Sequence, residues 1–169
     1  VNDVHLANEF IARLHAAVNR HDADEVAELC AMNVVWNDPA AAESLHGRDA
    51  VRRFHAEMMF RAIPDVSLRV IDGPYVSACG TRFAARVLIS GTMTGPLSPP
   101  GFSPTHERIE FETAEFSTVE NGLLTRHTVI MDMLGLARQI GAVPAAGSVA
   151  DRAIVQLQRL HAFWARTKR

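Results

Sequence analysis

The sequence predicts an α+β domain in which N-terminal helices pack on one side of a strongly curved, mostly antiparallel sheet, with a further helix at the C-terminus. Three observations lead there. Apolar residues recur at three-four spacing over the first third of the chain. From Val66 the apolar period shifts toward two. The turn signals Asp72-Gly73-Pro74 and Asn121-Gly122 then separate alternating runs. A strongly curved sheet closed on one side by helices leaves a conical hollow, a shape suited to a small apolar ligand.

Each element follows from its own pattern. Val4, Ala7, Phe10, Ile11, Leu14, Ala17 and Val18 make the stripe of an amphipathic helix, broken by Asn19-Arg20-His21-Asp22. Asp22 caps a second short helix, with Glu25 at the third position and Val26, Ala27 and Cys30 on its buried side. Val34-Val35-Trp36 reads as a first short strand, ended by Asn37-Asp38-Pro39 because proline lacks a donor and restricts its predecessor. A third helix runs from Ala50 to about Ile63, with Val51, Phe54, Met58 and Met59 as its apolar face. Strands follow at Val66–Ile71, Phe83–Ser90, Arg108–Val119 and Leu123–Met133. Gly91 to Ser103, rich in glycine and proline, reads as a loop over a pocket. On the Arg108–Val119 strand, Ile109, Phe111, Thr113 and Glu115 share one face. Ile109 and Phe111, with Ile130, are expected to point outward, where they suit a contact between subunits.

Residues 1–144 are expected to form this domain and residues 145–169 a helical extension. Leu134 to Ile140 reads as a turn or two of helix, and Ser148 caps a last helix from Val149 to about Arg166. Its apolar set is Ala153, Ile154, Leu157, Leu160 and Trp164, expected to pack on the body or on a second subunit. Its end is basic through Arg166, Lys168 and Arg169, which suits a helix C-terminus.

Composition narrows the function. The chain has 169 residues, enough for one core, and a net charge of −2 that carries no footprint for nucleic acid. No apolar run approaches the length needed to cross a bilayer, and no basic segment followed by an apolar run opens the chain. Cys30 and Cys79 lack metal-ligand spacing and read as reduced thiols, so a cytoplasmic protein is the expectation. The eight histidines show no paired ligand spacing, no glycine-rich phosphate loop follows a strand, and no nucleophile elbow is present. No metal, nucleotide, nicotinamide or flavin cofactor is indicated.

Several stretches stand in a telling order: Trp36-Asn37-Asp38-Pro39, His46-Gly47-Arg48-Asp49-Ala50-Val51 with Phe54, and Ile63-Pro64-Asp65. After them come Gly80 to Arg86, Gly91-Thr92-Met93-Thr94-Gly95, Asn121-Gly122 with Arg126-His127, and Asp132 ahead of Leu134 to Gly141. This ordered set resembles the SnoaL-like polyketide cyclases, a branch of the NTF2-like group with a cone-shaped fold. The resemblance implies closure of a ring by an intramolecular aldol step, using acid–base chemistry without metal or organic cofactor. It also implies homodimers or higher homo-oligomers formed through the outer sheet face. The chain departs from the family where a glutamate-histidine-tryptophan run is common and Arg126-His127-Thr128 stands instead. It departs again at the loop, with Met93 at a usual histidine position and His106 at a usual glycine position.

An aldol cyclisation needs a base beside a carbonyl and a donor for the oxygen that gains charge. The resemblance puts Asp132 in the role of base; the residues alone leave it also as the cap of the following helix. His127 is the matching strand histidine, a proton donor or a structural histidine, and it stands five residues from Asp132, on the opposite face by simple alternation. Asp38 faces the open end of the hollow or bonds its own turn. Trp36, Phe54, Met58, Met93 and Phe102 are candidate walls, or plain core. Arg86, in a mostly apolar strand, needs a carboxylate partner or binds an anionic substrate group. His106 is a candidate replacement for the loop histidine. Three functions remain open: a cyclase, isomerase or lyase on a small apolar or aromatic substrate; an epoxide or ester hydrolase built on an Asp38–Arg86–Asp132 cluster; and a non-catalytic binder.

Overall fold

Helix α1, Asp3–Asn19, forms where the three-four spacing places it and buries Ala7, Phe10, Ile11, Leu14, Ala17 and Val18 together with His15. The structure, a computed structural model, describes residues 3–97 and 101–167. The loop prolines at 99 and 100 and the basic residues Lys168 and Arg169 lie outside the described residues. Helix α2, Ala23–Glu28, starts at Asp22, whose carboxylate accepts the Glu25 N–H at 2.9 Å. Strand β1, Cys30–Asn37, begins four residues earlier than the Val34 run suggests, and a two-residue strand β2, Leu45–His46, pairs with it. Cys30 thus lies on a strand rather than on the second helix.

The third helix is not uniform. It comprises α3, Arg48–Arg53, a π-helical segment at Phe54–Met59, and α4, Phe60–Ala62. A π-turn widens the helix by one residue per turn, so side chains after it fall on a rotated face. Four long strands follow: β3 (Ser67–Val76), β4 (Arg82–Thr92), β5 (Arg108–Glu120) and β6 (Leu123–Met131). Strand β3 runs through Asp72-Gly73-Pro74, taking a cis Gly73–Pro74 bond in stride, and the chain turns at residues 77–81 instead. Asn121-Gly122 does form the β5–β6 turn, with positive φ at both residues.

The sheet corrects the expected architecture. Its order is β2-β1-β6-β5-β4-β3, with β1 parallel to β6 and the other pairs antiparallel. It is a mixed, open sheet with free edges at β2 and β3, not a strongly curved sheet closing toward a cone. The physical reason lies in connectivity. Strands β3 to β6 form consecutive hairpins, and β1 joins beside β6 through a long connection, so nothing pairs β3 back to β2.

Strand parity then sorts the side chains. Ile109, Thr113, Glu115 and Ser117 of β5 are buried, as are His127 and Val129 of β6. Ile109 and Phe111 therefore face inward, against the expectation that they point out; Ile130 does stand outside, with Phe116 and Tyr75. Helix α5, Met133–Gln139, closes one end, and Leu136, Ala137 and Ile140 bury against the body. The expected loop is pinned at its start. Thr94 and Gly95 donate to the Ala62 carbonyl at 3.0 and 3.1 Å, and a Cβ on Gly95 would run into the Arg61 carbonyl. Leu97, bridged to Phe102, is buried.

Helix α6, Val149–Thr167, is capped by Ser148 as expected, the Asp151 N–H reaching its hydroxyl at 3.1 Å. Its apolar residues Ile154, Leu157 and Leu160 stand half exposed or more rather than burying on the body. No helix among the described residues is long and apolar enough to cross a membrane.

Candidate functional site

Between the inner sheet face, α1, the π-helical segment and α5 lies a cavity of about 50 Å³. Its wall is mostly apolar: Leu14, Val18, Ile63, Leu97, Phe111 and Leu136 contribute, with three methionines, Met59, Met131 and Met133. Five ionisable groups enter this apolar wall: His15, Asp38, His55, Glu115 and His127. They arrive from four different elements and the loop after β1, which is what a site built by the fold looks like and a local cluster does not.

Glu115 organises the polar side. It is buried on β5, and its Oε2 lies 3.0 Å from His15 Nε2 and 4.0 Å from His127 Nε2. Burial is the largest influence on its carboxyl and would raise the pKa. The hydrogen bond and charge of His15, the nearby His127 and the Thr113 hydroxyl outweigh it and hold the pKa below the usual glutamate value. An ionised carboxylate only accepts, so His15 Nε2 carries the hydrogen of that bond. His127 is 1% exposed, and its Nδ1 lies 3.0 Å from the Ser117 hydroxyl. Burial drives its pKa down to about 4, although Glu115 pulls the other way, so the ring is neutral at physiological pH. The carboxylate beside Nε2 favours the tautomer with hydrogen there, and Ser117 then donates to Nδ1.

Trp36 and His55 face this pair. The indole lies on His127 with ring centroids 4.1 Å apart and meets His55 edge-on at 5.2 Å. The pairing of Trp36 with His127 across the parallel β1–β6 ladder fixes the first contact. His55 Nδ1 lies 2.8 Å from the Val51 carbonyl, which can only accept, so Nδ1 carries the hydrogen and Nε2 the lone pair. Burial lowers the His55 pKa to about 4. Trp36 Nε1 is buried without a hydrogen-bond partner. It lies beside the Asp38 carboxyl, close enough to favour its charged form.

Asp38 follows β1 on the same side as Trp36. Its Oδ1 accepts the Ala40 N–H at 2.9 Å, so the expected turn bond and a cavity position coexist. Asp38 is half-buried, with its carboxyl turned to the apolar cavity; desolvation there pushes its pKa above the usual aspartate value, the Ala40 and Trp36 N–H groups offset part of that, and the Glu115 charge adds to it.

The other sequence candidates lie elsewhere. Asp132 is exposed, caps α5 by accepting the Gly135 N–H at 2.8 Å, and does not line the cavity. Alternation explains it: Val129 and Met131 point in, so Asp132 points out. Arg86 is exposed on the outer sheet face, 2.5 Å from Glu112 and 3.7 Å from Asp72. An Asp38–Arg86–Asp132 cluster is therefore not assembled. His106 is exposed, at positive φ. Phe54 and Met93 are buried in the core and Met58 and Phe102 pack against it, but none of the four lines the cavity.

Sequence reasoning passed over His15, His55 and Glu115. Each carried a signal: His15 interrupts the Ile11–Leu14–Val18 stripe of α1, and Glu115 shares strand parity with buried Ile109. His55 stands at three-four spacing with Val51 and Met58, on the apolar face of the third helix.

No curated protein sequence matches the chain. Among solved structures, TsrD from Streptomyces laurentii is 25% identical with a TM-score of 0.70, covering 84% of this chain and 99% of that one. AclR from Streptomyces galilaeus is 20% identical with a TM-score of 0.69, over 96% and 98% of the two chains. SalBIII, an epoxide hydrolase/cyclase-like enzyme of pyran ring formation in salinomycin, is 20% identical with a TM-score of 0.62, over 75% and 91%. The last two likenesses concern the fold alone. A family model for SnoaL-like polyketide cyclases matches residues 8–140, most of the chain. With the helices, mixed sheet and inner cavity in place, the chain belongs to the SnoaL-like polyketide cyclase family of the NTF2-like superfamily.

Proposed function

We propose that the chain is a cofactor-independent acid–base enzyme that closes or isomerises a small cyclic or aromatic carbonyl compound, with Asp38 as the proton carrier. One observation carries this reading: two carboxyls of one apolar cavity have their pKa values pushed apart, Asp38 upward and Glu115 downward. Such separation assigns roles. Asp38 gains basicity from its poor solvation, so it takes a proton from carbon more readily than an ordinary aspartate. Glu115 stays ionised and orients His15 and His127.

In the proposed step, Asp38 removes the proton beside a substrate carbonyl and the electron pair moves onto the oxygen. The His127 Nε2–H, 4.0 Å from Glu115 and too far for a hydrogen bond, is the donor for that oxygen. The enolate carbon then attacks a second carbonyl of the same molecule. The alkoxide formed takes the proton back from Asp38, and no external reactant is consumed. The three methionine side chains give the cavity a wall that can repack around a ring.

Solvent deuterium exchange tests this without knowing the natural substrate. Small cyclic and aromatic β-dicarbonyl compounds are incubated in D2O with the protein, and loss of the α-proton signal is followed by NMR. Catalysed exchange is expected, falling about 10²- to 10⁴-fold in Asp38→Asn. Undiminished exchange in Asp38→Asn would sink the assignment. A second reading, a non-catalytic binder, draws support from the small cavity volume, and it predicts binding without exchange.

A further inference from the structure

We infer that His55 and Trp36 form an acceptor–donor clamp for a hydroxyl group of the cavity's occupant, making His55 a specificity-determining residue. The inference deepens the proton-transfer reading and takes from it that the occupant is a neutral ring compound. It starts from the helix. Val51, Phe54, His55 and Met58 recur at three-four spacing, so His55 falls on the inner face of the helix. The π-helical segment Phe54–Met59 carries both His55 and Met59 in the cavity wall. π-turns cost hydrogen-bond geometry, and they are found at functional sites where that cost secures a side-chain position.

What the segment delivers is a ring at 2% exposure, with one nitrogen fixed and the other open. Nδ1–H is committed to the Val51 carbonyl at 2.8 Å. Nε2, the lone-pair nitrogen, has no hydrogen-bond partner among the described residues. The ring is held by edge contacts to Trp36 at 5.2 Å and Phe54 at 5.3 Å, so its orientation is not free. Beside it, Trp36 Nε1–H is buried next to the Asp38 carboxyl and makes no hydrogen bond to any of the described residues. Buried polar groups in folded proteins are nearly always satisfied, and an indole N–H has only one way to be. One unfilled acceptor and one unfilled donor on neighbouring rings match a group that both donates and accepts. A phenolic or enolic hydroxyl does; an ether, a halide or a carboxylate does not. Glu115, ionised in the same cavity, further disfavours an anion.

Phenol and toluene, alike in shape, are the probes, titrated separately into the protein while ¹H–¹⁵N spectra are recorded. The chain has two tryptophans, so Trp164→Phe identifies the Trp36 indole signal. Phenol is expected to shift that signal and the His55 ring nitrogens, and to bind about tenfold tighter than toluene despite toluene's greater apolarity. In His55→Phe the preference is expected to vanish, and in His55→Gln, which keeps an acceptor, to persist in part. If His55→Phe fails to fold, the wild-type comparison still decides. Equal binding of the two probes, no phenol binding, or binding that moves neither signal would overturn the clamp. Asp38→Asn separates the two proposals: it should abolish exchange, whereas the phenol preference is read in the wild-type protein. Unchanged exchange there, with the preference present, defeats the proton-transfer reading and leaves the clamp standing.

Discussion

On strand β5, Glu112 and Glu115 stand three residues apart and meet opposite fates. Glu112 points out, where it pairs with Arg86 in contact with water. Glu115 points in, where it takes the hydrogen bond of a buried histidine and stands 4.0 Å from a second. The residue type is the same and the strand is the same; only parity differs. An odd separation on a strand puts side chains on opposite faces. The outer pair is screened and adds little. The inner group acts across a medium of low effective dielectric, where one charge fixes the protonation of its neighbours. Asp132 and Asp38 repeat the lesson. The first stands outside as a cap, and the second lines the cavity.

Acidification should expose the inner face most strongly. His55 and His127 have folded pKa values of about 4, below the usual 6.5. The unfolded chain therefore binds protons that the folded chain does not. Their contribution is whole above pH 6.5 and is lost as pH falls toward 4, by roughly 3 kcal/mol for each histidine. Denaturant melts between pH 7 and 4 should show stability falling steeply over that window. Asp38, with its raised pKa, works in the opposite sense and recovers a part of the loss. A flat profile would mean that these histidines are not buried as neutral rings.

Glu115→Gln sharpens the comparison within one strand. It removes the charge that His15 faces and should cost about 2 to 3 kcal/mol in chemical denaturation. Glu112→Gln, on the outer face, should leave both the midpoint and α-proton exchange unchanged. Asp132→Ala should cost about 1 kcal/mol through the lost cap, with exchange retained. Asp38→Asn should move stability upward by about 1 kcal/mol, because a poorly solvated carboxylate is removed while the Ala40 N–H keeps an acceptor. A variant that is more stable and inactive is the signature of a residue held for chemistry.

Local patterns in the sequence led directly to some of this. The α1 stripe, the Asp22 and Ser148 caps, the Asn121-Gly122 turn and the alternation of β5 are rules of near neighbours, and they placed these elements. The family resemblance rested on ordered short runs across residues 5–144 and agrees with the match over residues 8–140. Sheet closure was not legible, because the parallel docking of β1 on β6 joins residues about ninety positions apart. The site was half legible. Trp36, Asp38 and His127 stand on strand β1 or beside it, or on β6, where parity and the resemblance both apply. His55 shares the inner face of its helix with Val51 and Met58, but spacing alone does not tell a site histidine from one buried in the core. Arg86 was misjudged as internal because its strand neighbours are apolar; parity against Ala85 and Val87, both buried, puts it outside.

The separation of the two cavity carboxyls is the central claim, and ¹³C NMR titration of the aspartate and glutamate carboxyl carbons tests it directly. Asp38 is expected to titrate above the ordinary aspartate value of 3.8 and Glu115 below the ordinary glutamate value of 4.5. Asp38 titrating at or below its ordinary value, or Glu115 above its own, would contradict it.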